Sequence, residues 1–401
     1  MNRSVSLLVA GVIGLVLAGC TDRLSAPNAS RQITLQGDQS AFAINFAAMT
    51  GGGIHTCGWT PSGTAYCWGS NISGQLGNNT TTNSPVPVAV AGGLSFDLVS
   101  AGGGTGTGET QTCGVTLARA AYCWGFNSNG QLGNNTTTDS PVPVAVTGDL
   151  NFRSVSSGQI HTCGLTTAGV AYCWGGNSNG QLGNNTNADS PVPVAVAGGL
   201  IFSSLQSGAV HTCGLTPGGT VYCWGANFNG QLGNNSTADS PVPVAVVGTL
   251  NFRMIGIGQF HTCGLTSGGA VYCWGWNGSG QLGNNSTTNS LIPVAVAGGL
   301  SFRSVSAGLF HTCGLTPQGA AYCWGGNAEG ALGNNSTTDS HVPVAVVGGL
   351  AFISLTAGGH HNCGLVTGGP AYCWGANPFG ELGNGSVGGI SAVPVEVAGQ
   401  Q

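Results

Sequence analysis

Fourteen of the fifteen cysteines occur in pairs whose regular spacing points to a shared chemistry. In each pair the cysteines lie ten residues apart, the first in a His-Thr-Cys-Gly segment or close variant and the second in a Tyr-Cys-Trp-Gly segment. If Ser62 is the centre of a three-residue turn, Cys57 lies directly opposite Cys67 across an antiparallel hairpin. Facing Cα atoms are about 4.5–5.5 Å apart there, within disulfide range. The spacing therefore predicts seven disulfides, each within one hairpin: Cys57–Cys67, Cys113–Cys123, Cys163–Cys173, Cys213–Cys223, Cys263–Cys273, Cys313–Cys323 and Cys363–Cys373.

The histidines that precede these cysteines offer a second chemistry, a zinc site. His55 and Cys57 are two residues apart and so share one face of a strand, where they could join a second cysteine as metal ligands. The second repeat carries Gln111 in place of the histidine and would lose a ligand. We therefore predict no metal and no other cofactor. The remaining histidines of this motif are expected to be buried and structural: His161, His211, His261, His311 and His361.

The segments that must position these cysteines repeat along the chain. The first cysteine of each pair recurs with a period of 50 residues, broken once by six extra residues, which gives seven copies. Four strands per repeat, seven times over, predict an all-β fold, namely a seven-bladed β-propeller of four-stranded blades with one disulfide in each blade. One copy, residues 302–348, shows the four β-like runs separated by Gly and Pro: Phe302–Ala307, His311–Thr316, Ala320–Gly325 and Val342–Val346.

Closure of the ring distinguishes a propeller from a linear solenoid, which is the alternative architecture. A solenoid needs polar capping repeats at its ends, and neither end of this chain carries a distinct one. We therefore expect the ring to close by contact between the strand around Phe46 and the last strand, Val393–Val397. The sequence leaves open which of these two strands shares a blade.

Composition excludes several classes of protein. The chain has 401 residues with 73 Gly, 17 Pro, a hydrophobic content of 41% and a formal net charge of −5, and its seven basic residues are all Arg. The apolar content is sufficient for a folded core, and the scarcity of Lys, Glu and Met disfavours an α-helical fold. Without a basic cluster, the electrostatic requirement for binding nucleic acid is not met.

The first twenty residues have the features of an export signal. Arg3 is followed by a short apolar run from Leu7 to Ala18, which is too short to span a bilayer. The segment ends in Leu-Ala-Gly-Cys, which resembles the lipobox of bacterial lipoproteins, and Cys20 is the one cysteine outside the pairs. An ordinary signal peptide is the alternative. We expect a lipoprotein signal peptide over residues 1–20, lipidation at Cys20, a polar tether over 21–40 and the propeller over 41–399.

This assignment predicts a location in the bacterial cell envelope. Membrane contact would be made through the lipid anchor only. Thr21 stands where an aspartate can retain lipoproteins at the inner membrane, so the resemblance favours the outer membrane or the cell surface.

The repeated motif also identifies a family. Gly-x-x-His-Thr, a hairpin glycine, Tyr-x-Trp-Gly-x-Asn-x-x-Gly-Gln-Leu-Gly and a later Pro-Val strand resemble the regulator of chromosome condensation repeat over nearly all of residues 42–399. The resemblance implies a seven-bladed propeller with the Trp-Gly positions packed between blades. Members of this family include a nucleotide-exchange factor for a small nuclear GTPase and a secreted bacterial inhibitor of β-lactamases. The fold therefore does not imply one function.

The least repetitive positions are expected to form a binding surface. Because successive strands alternate direction, the first-to-second and third-to-fourth strand connections of every blade lie on one face of the propeller. The six-residue insertion, within Gly103 to Thr110, extends a loop of this face. We predict that the face captures a protein or glycan partner and that the protein is a monomer, although these side chains could instead pack against neighbouring blades or fill the channel mouth. The candidate binding residues are Ile54, Ile72, Glu109, Phe126, Ile160, Phe228, Phe260, Trp276, Phe310, Glu329, His360 and Phe379.

Enzymatic activity is the competing hypothesis. Glu329 and Glu381 fall in equivalent loops of adjacent blades and could act as the paired acids of a carbohydrate-active hydrolase. No nucleophile elbow, phosphate-binding loop or zinc-protease motif is present. Exchange-factor activity is implied by the family resemblance alone, and export would separate the protein from a cytosolic GTPase. We predict no catalytic residues.

Four aspartates in the Gly-Asn-Asn loops could suggest calcium. Short Asx turns explain them better, because Asn83 and Asn289 occupy the same position in other repeats without a charge. The four residues are Asp139, Asp189, Asp239 and Asp339.

Overall fold

The computed structural model describes residues 43–104 and 109–400 of the chain. These residues form 28 β-strands in seven four-stranded antiparallel sheets, each made of four consecutive strands. The predicted seven-bladed propeller is confirmed. The predicted signal peptide, Cys20, the tether and residues 105–108 of the inserted loop lie outside the described residues. Within the described ranges, no helix has the length and apolar character needed to cross a membrane.

The strands are short and similar from blade to blade. Blades 1 to 4 contain β1 (Ala48–Gly51), β2 (His55–Trp59), β3 (Ala65–Gly69), β4 (Ser84–Ala89); β5 (Phe96–Ala101), β6 (Gln111–Thr116), β7 (Ala121–Gly125), β8 (Ser140–Ala145); β9 (Phe152–Ser157), β10 (His161–Thr166), β11 (Ala171–Gly175), β12 (Ser190–Ala195); β13 (Ser204–Ser207), β14 (His211–Leu215), β15 (Val221–Gly225) and β16 (Ser240–Ala245). Blades 5 to 7 contain β17 (Phe252–Ile257), β18 (His261–Thr266), β19 (Val271–Gly275), β20 (Ser290–Ala295); β21 (Ser304–Ala307), β22 (His311–Leu315), β23 (Ala321–Gly325), β24 (Ser340–Ala345); β25 (Phe352–Ala357), β26 (His361–Val366), β27 (Ala371–Ala376) and β28 (Ile390–Glu396).

The hairpin between the second and third strands has the register expected from its cysteines. Cys57 pairs with Cys67 and Trp59 with Ala65, and the turn between them uses Gly63 at a φ of 87°, which favours glycine. All seven predicted disulfides are confirmed. Their Cα atoms lie 4.0–4.1 Å apart, closer than the sequence-based expectation.

The core consists of seven layers between neighbouring blades. Each disulfide is fully buried and packs against the tryptophan of the next blade, as Cys113 and Cys123 do with Trp174. The indole Nε1 of Trp174 donates to the carbonyl oxygen of Gln131 in the preceding blade at 2.9 Å. Gly133 must be a glycine because a Cβ atom there would lie 2.7 Å from that same Nε1. No blade could bury this surface by itself, so the blades stabilise one another.

The expected contact at the closure of the ring is present, but the residues that make it flank the strands, since Phe46 precedes β1 and Val397 follows β28. Phe46 lies in one apolar cluster with Val397 and Trp68, and the amide of Ile44 donates to the carbonyl oxygen of Gly399 at 2.9 Å. Blade 1 consists of β1–β4 and blade 7 of β25–β28, so neither end contributes a strand to the other's sheet. The ring closes by packing between blades.

Five strand boundaries in the sixth repeat differ from prediction. Three differ by one residue, since the second strand ends at Leu315, the third begins at Ala321 and the outer strand ends at Ala345. The innermost strand begins at Ser304 instead of Phe302, because Phe302 does not pair with Thr316, whereas the equivalent Phe252 of blade 5 pairs with Thr266. The outer strand begins at Ser340 instead of Val342, because Ser340 pairs with Gly325 of β23.

Candidate functional site

A buried histidine at the start of each second strand joins neighbouring blades. His211 Nε2 lies 3.0 Å from Thr262 Oγ1, and this hydroxyl donates its hydrogen to the Gln231 carbonyl oxygen at 3.0 Å. A hydroxyl has one hydrogen, so it must accept from the histidine. The contact therefore selects the neutral tautomer protonated at Nε2.

The same contact recurs at all seven interfaces between blades. Gln111 replaces the histidine in blade 2 and donates to Thr162 at 3.2 Å, while Asn362 replaces the threonine in blade 7 and accepts from His311 at 2.9 Å. His361 and Thr56 close the ring at 2.7 Å. The remaining pairs are His55–Thr112, His161–Thr212, His211–Thr262 and His261–Thr312.

Burial keeps these histidines neutral. It lowers the pKa of His311 to about 4 and the pKa values of the others to about 3. Each ring also lies against the glycine three residues earlier: a Cβ atom at Gly208 would lie 2.8 Å from Cε1 of His211. The zinc alternative fails on contacts, because the cysteines are disulfide-bonded and the histidine Nε2 atoms are engaged. The described ranges contain no cluster of three or more metal-ligating side chains.

Several predicted binding residues meet across blade boundaries on the expected face. The rings of Phe228 and Phe260 have centroids 5.3 Å apart, and so do those of Trp276 and Phe310. Phe310 also contacts the His360 ring at 5.4 Å. We call these five residues the aromatic arc. It follows the loops of blades 4 to 7, and all its members are partly or fully exposed.

The other predicted binding residues differ in how exposed their side chains are. Ile72 and Glu109 are exposed, and Phe126, Ile160 and Phe379 are partly buried. Ile54 was expected on the surface but is only 4% exposed. The residue before it, Gly53, lies against the loop of the second repeat and donates its amide hydrogen to the Gly102 carbonyl oxygen at 2.8 Å. Ile54 therefore belongs to the core.

Exposed apolar side chains also occur on the opposite face. Leu117, Ile201 and Ile353 are 63%, 47% and 48% exposed and lie at or beside connections of that face. They are single aliphatic residues. What distinguishes the predicted face is therefore the contact between aromatic rings from different blades, rather than apolar exposure alone.

The two candidate acids have different environments. Glu381 is 1% exposed, and its carboxyl accepts the Phe379 amide at 2.9 Å. Burial raises the pKa of Glu381 to about 7, against the opposing effect of backbone hydrogen bonds. Glu329 is partly exposed, and its Oε2 lies 2.9 Å from Nδ1 of His360. That contact lowers the pKa of Glu329.

These carboxylates occupy different positions of their repeats, since Glu329 corresponds to Phe379 and Glu381 corresponds to Ala331. The charge of Glu329 also contributes to the raised pKa of Glu381. The aspartates considered for calcium brace their own loops instead, as Asp139 does by accepting the Asn127 amide at 2.8 Å.

The structure contains two notable cavities, of which only the first was expected from the sequence. One is the central channel, which the inner strands line with small polar residues such as Thr50, Ser100 and Ser306. The other lies at the top of blade 6, against Phe310, Glu329 and His360. A signal for the second cavity was present, because residue 331 is alanine where five repeats have glutamine.

The fold and this face define a class of protein: a seven-bladed β-propeller that presents repeated loops on a rigid ring. The RCC1-like domain family model matches residues 105–400, and the regulator of chromosome condensation (RCC1) repeat matches residues 62–106. Since the first match covers more than half of the chain, the protein belongs to the RCC1-like family.

Individual relatives are more distant. The chain is 30% identical over 128 residues to the ultraviolet-B receptor UVR8 of Arabidopsis thaliana, a match covering 31% of this chain and 26% of UVR8. Human WBSCR16 superposes with a TM-score of 0.73 at 21% identity, covering 80% of this chain and 87% of the other. Yeast RCC1 (Prp20), solved with Kap60, gives 0.68 at 21% identity and 78% coverage of both chains. At this identity the structural likeness establishes the fold alone.

Proposed function

We propose that this protein is an exported, lipid-anchored binding module that captures a protein partner on the aromatic arc. The observation that carries the proposal is two groups of ring contacts on four adjacent blades, Phe228 with Phe260, and Trp276 with Phe310 and His360. Aromatic side chains that are partly exposed and rigidly held provide the anchor residues of many protein interfaces.

The rigid propeller beneath the aromatic arc favours tight binding of a partner. Each blade carries a buried disulfide, and the histidine contacts tie neighbouring blades together. A surface that is already ordered loses little conformational entropy when a partner binds. The similar yeast RCC1 was solved bound to Kap60, and a second yeast structure is described with binding to Gsp1p and histones, so proteins of this fold can bind protein partners.

Export and anchoring are part of the same proposal. Seven disulfides indicate folding in an oxidising compartment. The lipobox-like segment supplies the anchor at Cys20. We expect the Cys20→Ser protein to move from the membrane fraction to the soluble fraction, and an unchanged distribution would contradict the anchor.

The test compares the two faces of the propeller. We expect Phe228→Ser and Trp276→Ser of the arc, together with Phe126→Ser on the same face, to weaken binding of the partner at least about tenfold, since several anchor residues are lost. The partner is the protein that cross-links to the full-length wild type at these loops, identified by mass spectrometry, and its affinity for purified variants is then measured by calorimetry.

The control variant carries Leu117→Ser, Ile201→Ser and Ile353→Ser on the opposite face. It removes three exposed apolar side chains and should bind as the wild type does. Thermal unfolding of both variants should stay close to that of the wild type. A collapse in stability of the arc variant would assign its residues to the core, and an equal loss of binding in the control would place the interface elsewhere.

A further inference from the structure

One repeat lacks a side chain that the other six use to brace a loop. The position before Leu-Gly is glutamine in five repeats, Glu381 in the last and Ala331 in the sixth. In each glutamine repeat the side-chain Oε1 accepts the amide hydrogen two residues earlier, as Gln181 does from Asn179 at 2.9 Å. The Glu381 carboxyl accepts the corresponding amide of Phe379 at the same distance. A planar oxygen-bearing group is thus normally held under this loop.

In blade 6 this group is missing because Ala331 ends at Cβ. The amide hydrogen of Glu329 therefore loses the acceptor that its counterparts have. A cavity of about 270 Å³ lies here, lined by loop residues 326–329, Ala331, Phe310 and His360. Its size is near the lower end of the range of about 300–1,000 Å³ typical of ligand pockets.

The lining restricts the chemistry of a ligand. An oxygen acceptor would take the place of the glutamine Oε1 at the Glu329 amide, and the carboxylate of Glu329 would accept from an adjacent N–H. The Phe310 ring provides an apolar wall for a methyl group. A carboxylate ligand would be repelled by Glu329 and Asp339, and an ammonium group would leave the Glu329 amide without an acceptor. A neutral carboxamide satisfies all three features.

A sugar is a better source of this group than a peptide side chain. The carboxylate of Asp339, also at the cavity wall, can accept from the hydroxyl groups that a sugar carries beside such a carboxamide. We propose that the blade 6 cavity binds the acetamido group of an N-acetylated amino sugar. This site extends the proposed function to a second ligand on the same face, and it would stand if partner capture failed.

The test introduces at position 331 the glutamine found in five other repeats, so that its side chain competes with the sugar for the cavity. Ala331→Gln should place a carboxamide in the cavity with the geometry of the other repeats. Thr337→Gln, at an exposed position of the same blade outside the cavity, is the matched control. Binding of N-acetylglucosamine and of glucose to the full-length protein is followed by saturation-transfer NMR, and folding of each variant is followed by its melting temperature.

We expect the acetyl methyl group to receive the strongest saturation in the wild type, and glucose to bind at least about tenfold more weakly. Ala331→Gln should abolish sugar binding with an unchanged or higher melting temperature, while Thr337→Gln should bind normally. Ala331→Gln should also retain the protein partner, because the arc side chains are unaltered, and this separates the two proposals.

Three results would overturn the inference. Equal binding of glucose would remove the role of the acetamido group. Undiminished sugar binding by Ala331→Gln would place the site elsewhere. If a glutamine-containing peptide binds and N-acetylglucosamine does not, the cavity accepts a side chain of a protein partner instead.

Discussion

At the scale of single residues, the outstanding feature is a carboxyl group buried where five repeats have a neutral carboxamide. Glu381 keeps the hydrogen bond to the Phe379 amide that glutamine makes elsewhere, but its charge has no basic partner among the groups that shift its pKa. Because burial raises this pKa to about 7 from an ordinary value near 4.5, the folded protein holds a proton that the unfolded chain releases. Stability is therefore lost as the pH rises from about 4.5 to 7.

Replacing this carboxyl should remove the pH dependence that it causes. We expect Glu381→Gln to be more stable than the wild type by up to about 3 kcal/mol at pH 8, with the difference disappearing near pH 4, where the carboxyl is protonated in both states. Denaturant unfolding at the two pH values measures this. The conservative Glu329→Gln, at a partly exposed position, should not reproduce the pattern. A gain from Glu381→Gln that is equal at both pH values would contradict a raised pKa.

Residue roles were predictable where the repeats could be compared with each other. The replacement of histidine by Gln111 disfavoured a metal site, and the contacts agree, because both side chains donate to a threonine of the next blade. The burial of Ile54 was not predictable. Its equivalents Ile160 and Phe260 are partly exposed, and nothing in the repeated motif distinguishes the first copy from them.

At the scale of elements, each disulfide cross-links the hairpin between the second and third strands of its blade. The ten-residue spacing was sufficient to predict the pairing, because the register of a short hairpin follows from its turn. The strand ends were less predictable. Phe302 looks like part of a strand from its residue type, yet it has no partner on the neighbouring strand, whereas the equivalent Phe252 pairs with Thr266.

We expect removal of one disulfide to weaken the fold without unfolding it. Replacing Cys213 and Cys223 together by alanine should cost about 3 kcal/mol from the greater entropy of the unfolded chain. Differential scanning calorimetry measures the loss as a lower melting temperature. Reduction of all seven disulfides in the wild type should lower the melting temperature much further. A double variant as stable as the wild type would show that this disulfide contributes nothing to stability.

At the scale of the whole molecule, the histidine contacts form a belt around all seven interfaces between blades. Six buried histidines have pKa values lowered to about 3 or 4, so below the ordinary value of 6.5 the unfolded chain binds protons that the folded chain excludes. Each of these histidines lowers the free energy of unfolding of the protein by about 1.4 kcal/mol for every pH unit below 6.5. Glu381 opposes this effect by holding one proton in the folded state.

The belt should therefore make acid unfolding steep. We expect stability to fall sharply between pH 6.5 and 5, with several protons taken up on unfolding. His261→Gln, which copies Gln111, should reduce that uptake by about one proton while the ring remains folded. Urea unfolding across this pH range, followed by tryptophan fluorescence, gives the proton uptake from the slope. An identical slope in the variant would show that His261 is not a buried neutral group.

The sequence by itself determined the repeat number, the four strands of each blade, the cysteine pairing and the closure of the ring. These features depend on spacings of a few to ten residues within one repeat, and on apolar faces that only a neighbouring repeat can cover. The tertiary structure decided which variable residues act together. The aromatic arc joins residues from adjacent blades, and the cavity above Ala331 depends on a side chain missing from one loop and on rings supplied by two blades. Such contacts arise only when loops about fifty residues apart are placed side by side, which no spacing within a single repeat encodes.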